Sequence, residues 1–277
     1  MDKPAGPTSH DVVALVRRAL RTRAVGHAGT LDPFATGLLV ILVGRATRLA
    51  RFVERQVKGY RAEAVLGTTT TTDDLEGEVL RERIPAYWPD EATVRGALTA
   101  FVGSFAQRPP AYSARRVGGR RGYELARRGK PVTLVPTDVT VHSAELLGWK
   151  PPVLEFRAAV SSGTYLRALA RDLGERLGTG AHLRALRREW IGPLRVEDAL
   201  RSEAVGPETR LLAPVALVGH LRQVEVSSGE ALVIRQGRAI PAEDASGTAA
   251  FLAEGRLLAV AEAVGGSWQP RVVLEPV

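Results

Sequence analysis

GHAGTLDPFATGLL, residues 26–39, sits in a segment (24–37) too dense in Gly, Thr and Pro for a regular element, and it reads as a loop. Two readings of Asp32 stay open from the local pattern alone. Before Pro33 it is a good helix N-cap with Pro at the first helical position. On a glycine-flanked loop it is also a carboxylate that can approach a ligand closely. Upstream, Thr8-Ser9-His10-Asp11 has the form of a capping box, and Val12, Val13, Leu15, Val16, Ala19 and Leu20 then share a helical face that runs into Arg17, Arg18, Arg21 and Arg23. Downstream, Leu38–Val43 is a short apolar run of buried-strand length, Arg45–Val53 is a predicted helix and Val57–Leu66 a predicted strand.

Further along, residues 68–78 (TTTTTDDLEGE) lack a core-forming period and read as an exposed loop or hairpin end, and Asp90 caps a predicted helix to Val102. Residues 103–135 read as an irregular, Arg-rich surface with one short helix near Tyr123–Arg128. Strands are predicted at 137–147 and 153–160 around the turn GWKPP (148–152). Ser161–Tyr165 then opens a helix whose Leu166, Leu169, Ala170, Leu173 and Leu177 share a face, with Gly178 as its stop. Past residue 220 short apolar pieces separated by Gly have the rhythm of a small β-barrel. The expected division is an α+β domain with a central mixed sheet over 1–222 and a barrel over 223–277.

The chain has 277 residues, 45% of them hydrophobic and 25% charged, an ordinary globular composition. It has no Cys, which excludes a disulfide framework, a thiolate nucleophile and Cys-ligated zinc. No apolar run approaches the length of a membrane helix, no signal peptide is evident, and the expected location is the cytoplasm. The formal net charge is +8, and only four of the 38 basic residues are lysines (Lys3, Lys58, Lys130, Lys150). Codon bias exchanges Lys for Arg on any surface, but the net charge itself points to a polyanionic partner. Arg115, Arg116, Arg120, Arg121, Arg127, Arg128 and Lys130 crowd one segment against a single acid, Glu124, and form a candidate phosphate-binding surface. Arg184, Arg187 and Arg188 form a second basic cluster. No P-loop, dinucleotide fingerprint or metal-spaced His cluster is present, so no cofactor and no metal are expected.

Five segments together resemble one family. GHAGTLDPFATGLL (26–39) resembles the signature loop of the TruB-type tRNA pseudouridine synthases, and DKPAGPTSHDVV (2–13) their N-terminal motif. KGYRAEAVLGTTTTTDDLEGEV (58–79) resembles the tyrosine-bearing strand, PPAYSARRVGGRRGYELARRG (109–129) the central basic segment, and SSGTYLRALARDLGERLGTGAHLRALRR (161–188) the third active-site region. The likeness runs over about residues 2–195, and 223–277 resemble the small PUA RNA-binding domain. Two departures stand out. The chain begins Met1-Asp2-Lys3 where relatives carry a short apolar strand first, so either an upstream start or a missing sheet-edge strand is expected. Thr71 also replaces a frequent acid.

The resemblance implies the pseudouridine synthase fold and isomerisation of uridine at position 55 in the T loop of tRNA. It implies Asp32 as nucleophile, Arg167 as its cationic partner, and Tyr60 as the residue that stacks on the flipped base and moves a proton. Tyr165, Leu186 and Asp74 would line or orient the uracil pocket, and His27 would contact the RNA. Arg187 and Arg188 would join the central basic segment on the RNA backbone. The expected protein is a guide-independent monomer needing no protein partner and no membrane. A non-catalytic tRNA-binding or folding factor, and the catalytic subunit of a guide-RNA particle, are the competing readings.

Overall fold

The computed structural model describes residues 1–112, 116–117, 120–121, 134–242 and 244–275. Asp2–Lys3 (β1) lies antiparallel to Thr36–Leu38 (β3), and the Met1 amino group donates to the Leu39 carbonyl at 3.1 Å. The sheet edge at this end is thus formed by Asp2 and Lys3 themselves. Ser9–Ala19 (α1) starts as the sequence implies: Thr8 Oγ1 accepts from Asp11 N at 3.1 Å and Asp11 Oδ2 from Thr8 N at 2.8 Å. Such a cap contributes about 1 kcal/mol. The loop predicted over 24–37 contains two strands, Val25–Ala28 (β2) and β3, with β2 pairing the buried run Val40–Val43 (β4). The helix predicted at 45–53 begins as a 3-10 turn, Gly44–Leu49, and becomes α-helical only at Ala50–Glu54 (α2).

Strict alternation places Tyr60, Ala62, Ala64 and Leu66 of Lys58–Leu66 (β5) inward and Arg61 and Glu63 outward. The threonine run is part hairpin: Thr68–Thr70 (β6) pairs Val79–Glu82 (β7), and Thr70 and Asp74, expected on an exposed loop, are buried. Asp90 caps Glu91–Thr99 (α3), which stops three residues before the predicted Val102. Gly103–Gln107 (β8) follows, then the two-residue strands Arg116–Val117 (β9) and Arg120–Arg121 (β10). The short helix expected near Tyr123–Arg128 and the candidate phosphate contacts Arg115, Arg127, Arg128 and Lys130 lie outside the described residues. For Arg116, Arg120 and Arg121 only the strand backbone is described.

Thr137–Lys150 (β11) and Val153–Val160 (β12) form the predicted hairpin, with the turn shortened to Pro151-Pro152. Leu166–Arg176 (α4) buries Leu166, Leu169, Ala170 and Leu173 as its period requires. It ends where Gly178 takes a left-handed φ of 72°. Ala181–Ile191 (β13) is the strand the sequence reading did not separate from this region; a bulge between Leu183 and Ala185 interrupts its alternation. Leu194–Arg195 (β14) pairs back on it. The resulting eight-stranded sheet runs β1-β3-β13-β5-β12-β11-β8 with β14 as the eighth strand off β13, and is mixed because β3 and β13 are parallel.

From Arg222 the chain builds a second sheet: Arg222–Glu225 (β15), helix Ser228–Arg235 (α5), Ile240–Pro241 (β16), Thr248–Ala253 (β17), Arg256–Val264 (β18) and Ser267–Val273 (β19), in the order β15-β17-β18-β19-β16. One face packs Phe251, Leu258 and Trp268 with Ala231 and Ile234 of α5. Its other face puts Ala250, Leu257, Val260 and Val272 into one cluster with Val40, Leu42, Phe52 and Ile191. Arg45 and Arg48 fasten that junction by donating to the carbonyls of Leu274 and Val273 at 2.8 and 2.7 Å.

Gly37 marks the tightest crossing in the main sheet. Its φ is +99°, and a Cβ there would overlap the backbone of Arg188 on the neighbouring strand. Gly37→Ala is expected to cost about 3 kcal/mol, combining the left-handed penalty with overpacking. Urea unfolding checks this: the midpoint should fall while the m-value stays unchanged.

Candidate active site

Asp32 is held by its neighbours in sequence before any partner reaches its side chain. On one side Leu31 is locked to Ser9, whose hydroxyl donates to the Leu31 carbonyl at 3.1 Å and accepts from its N–H at 3.0 Å. On the other side the Pro33 carbonyl accepts from Lys3 Nζ at 3.0 Å and from Gly6 N at 2.9 Å. Lys3 is 1% exposed and also donates to the carbonyls of Pro4 and Pro7, both at 2.8 Å. Three acceptors satisfy the three ammonium protons, which makes burial of the charge tolerable. Burial still lowers the Lys3 pKa, with Asp32 acting against it. The N-terminal motif is thus the clamp of the Asp32 loop.

The carboxylate faces Arg167, at the start of α4. Arg167 Nη2 donates to Asp32 Oδ1 at 3.2 Å, and Nε lies 2.9 Å from Oδ2 as an ion contact without hydrogen-bond alignment. Arg167 is 5% exposed, against 34% for the Asp32 side chain, so the open edge of the pair is the carboxylate. Its Nη1 meets Asp74 Oδ2 at 3.2 Å and donates to the Thr72 carbonyl at 2.9 Å, while Nη2 also donates to the Tyr112 carbonyl at 3.0 Å. Asp74 is itself oriented by the Thr72 hydroxyl and the Glu76 N–H. One guanidinium therefore binds two carboxylates from separate parts of the chain. Deleting it would leave both without their counter-charge, a loss of about 3–5 kcal/mol for a buried pair. Burial raises the Asp32 pKa; the Arg167 charge pulls it back down and the Asp74 charge adds to the rise.

Tyr60, Leu186, Leu166 and Leu31 belong to one packed cluster beside this pair, with Tyr60 and Leu186 each 7% exposed. Tyr165 caps α4, its backbone held by both amide atoms of the buried Gln107 side chain at 2.9 and 3.2 Å. His27 stands on β2, its ring edge-on to His10 of α1 with centroids 5.5 Å apart, and its buried Nδ1 has no hydrogen-bond partner among the described residues. Burial, then the charges of His10 and Arg188, lowers the His27 pKa and favours the neutral ring. The structure thus brings Asp32, Arg167 and Asp74 into direct contact and packs Tyr60 and Leu186 alongside.

Arg188 requires correction. Expected on a basic surface, it is 1% exposed and reaches no solvent that a phosphate could occupy. Its guanidinium donates to the carbonyls of Leu38 at 2.7 Å and Gly29 at 2.9 Å, and Nη1 lies 3.5 Å from the Tyr60 hydroxyl. It ties the Asp32 loop to the tyrosine strand. Arg187, one residue earlier, faces outward, but its fork is committed to Asp2 through two bonds of 3.0 and 2.9 Å. Lys3, Ser9 and Gln107 are the site residues that sequence reasoning missed, while Arg188 was singled out but given a surface role. The available signal was polar side chains at positions where a strand or helix face turns inward. Among the described residues no group of His, Asp and Glu is arranged to hold a metal ion, and no helix is long and apolar enough to cross a membrane.

This architecture is the pseudouridine synthase fold. It superimposes on the protein in the crystal structure of a Cbf5-Nop10-Gar1 complex with a TM-score of 0.73 and 26% identity, covering 99% of this chain and 84% of that one. A model for the TruB family pseudouridylate synthase (N terminal domain) matches residues 17–166, and one for the tRNA pseudouridylate synthase B C-terminal domain matches 167–227. The chain belongs to the TruB family of pseudouridylate synthases. It is 46% identical to the tRNA pseudouridine synthase B of Thermobifida fusca, covering 99% of this chain and 96% of that one. With the same-named protein of Gloeobacter violaceus it shares 43% identity over 99% and 97%.

The raised pKa of Asp32 has a signed consequence. The unfolded carboxyl ionises near 3.8, before the folded one, so ionisation favours unfolding across the interval between the two and at every pH above it. Asp32→Asn is expected to raise the melting temperature at pH 7, with the gain opening as pH climbs through 3.8 and levelling off once the folded carboxyl has ionised. Calorimetry of both proteins from pH 3 to pH 8 checks this; curves that coincide throughout would refute it.

Proposed function

We propose that this chain isomerises uridine to pseudouridine at position 55 in the T loop of tRNA, acting as a monomer in the cytoplasm without guide RNA, protein partner or cofactor. The observation that carries the reading is the Asp32 carboxylate, clamped on both flanks and gripped by Arg167, in a chain of the TruB family. The reaction breaks the C1′–N1 bond and forms C1′–C5; the proton lost from C5 is balanced by one gained at N1, so nothing is oxidised or hydrolysed. Asp32 supplies the carboxylate that cleavage needs, and the Arg167 charge opposes the upward push of burial on its pKa. A uridine stacked within the folded tRNA arm must be flipped out of its stack to be reached. Tyr60 then stacks on the flipped base and moves a proton, with Arg188 beside its hydroxyl. Tyr165, Leu186 and Asp74 line and orient the pocket, and His27 meets the RNA at its mouth. Residues 1–222 form the catalytic unit, and 223–277 a PUA-like RNA-binding unit. The basic segment holding Arg115, Arg116, Arg120, Arg121, Arg127, Arg128 and Lys130 grips the RNA backbone.

Turnover of an unmodified T-arm hairpin by the purified protein alone tests this. Asp32→Asn should abolish product while changing RNA affinity only a few-fold, because the carboxylate acts on the reaction rather than on docking. Tyr60→Phe should keep the stack and lower kcat by about 10²–10⁴-fold with little change in KM. Retained turnover in Asp32→Asn would overturn the assignment. Activity that appears only with an added guide RNA would favour the guide-dependent reading instead.

A further inference from the structure

The run between Asp11 and Asp32 contains four arginines, Arg17, Arg18, Arg21 and Arg23, and no acid. Arg17 is used internally, donating from Nη2 to the Val25 carbonyl at 2.8 Å. Arg18, Arg21 and Arg23 are exposed, and among the described residues their side chains have neither an ion-pair nor a hydrogen-bond partner. The outward face of the main sheet differs sharply: there Arg61 pairs Glu155, Arg157 pairs Glu189, Arg184 pairs Glu63 and Arg187 pairs Asp2.

Arg21 carries a second signal. It follows the end of α1 in the left-handed region, at φ 50°, where Thr22 N bonds back to Arg17 O at 3.1 Å and Arg21 N to Arg18 O at 3.3 Å. Glycine is the residue without penalty in this helix-ending turn, yet the chain places a long cation there. The location completes the argument. His10, Ala14 and Arg18 follow one another along the exposed side of α1, a span of about 12 Å at the helical rise, and Arg21 comes just past the helix end. The His10 end touches His27, and α1 is fastened to the His27 strand through the packed side chains of Val13, Val16 and Val25.

We propose that Arg18, Arg21 and Arg23 form a track for RNA backbone phosphates, leading away from the base pocket along the stem of the substrate arm. This rests on the tRNA reading above. Unpaired guanidiniums on a helix face suit phosphate oxygens and read no base, so the track contributes affinity and register rather than sequence selection. It binds ground state and transition state alike and belongs in KM, not kcat.

The test uses the full chain, an unmodified T-arm hairpin RNA and a potassium chloride series. The triple variant R18Q/R21G/R23Q should weaken Kd at least tenfold and raise KM, with kcat within twofold of the parent. The slope of log Kd against log salt should become shallower by about 2.1–2.7, three phosphate contacts at roughly 0.7–0.9 each. R21G alone separates this role from a structural one: its melting temperature should equal or exceed the parent's while its Kd weakens. R61Q/R95Q/R157Q removes as many charges at arginines already paired with an acid (Arg95 of α3 pairs Glu91) and should leave Kd within twofold. An unchanged Kd and slope in the triple variant, with parent turnover intact, would overturn the track and leave the catalytic reading standing; equal losses in the control variant would reduce it to net charge. A parent protein that neither binds nor converts the hairpin would bring down the catalytic reading and the track with it.

Discussion

One guanidinium, that of Arg167, joins two carboxylates that the chain places 42 residues apart, Asp32 and Asp74, and the local architecture is arranged to permit this. A buried cation needs counter-charge and a full set of acceptors, or it is expelled. The acceptors come from the carbonyls of Thr72 and Tyr112, so the loop after β6 and the approach to the central basic segment must both reach the start of α4. The sheet supplies the reach: β5 and β13 are neighbours, Asp74 bridges to Leu183 on β13, and α4 packs across the inner face. Arg188 repeats the device one layer away, a cation whose acceptors are the backbone of the Asp32 loop and of β3.

Much of this was legible in the residues, for definable reasons. The capping box at Thr8, the amphipathic period of α4 and the alternation of β5 are local patterns, and local patterns survive folding when the buried face is continuous. Asp32, Arg167 and Asp74 were legible only as parts of long motifs; each alone had an ordinary structural explanation. β13 was missed because its bulge breaks the period of two and because its arginines face both ways, one into the core and others outward. The burial of Asp74 was missed because a polar threonine run reads as exposed when its partners, a guanidinium and a neighbouring strand, lie about a hundred residues away in sequence.

Counting arginines as one basic surface therefore misstates what they do. Some are internal struts, as Arg167 and Arg188 are. Others form a neutral lattice on the outside of the main sheet, where exposed pairs contribute at most about 1 kcal/mol each and serve solubility more than stability. Only the remainder is available to a polyanion. The distinction is invisible in composition and follows from which strand face each residue occupies and whether an acid stands opposite in register.

The C-terminal sheet has no face of its own on the side toward the catalytic sheet. Ala250, Leu257, Val260 and Val272 share a core with Val40, Leu42 and Phe52, and the backbone at Val273 and Leu274 is held by Arg48 and Arg45. Two units joined by a linker can swing; two units that share an interior cannot. The distance and angle between the C-terminal sheet and Asp32 are therefore set by packing, and any ligand that spanned both would have to match a fixed interval.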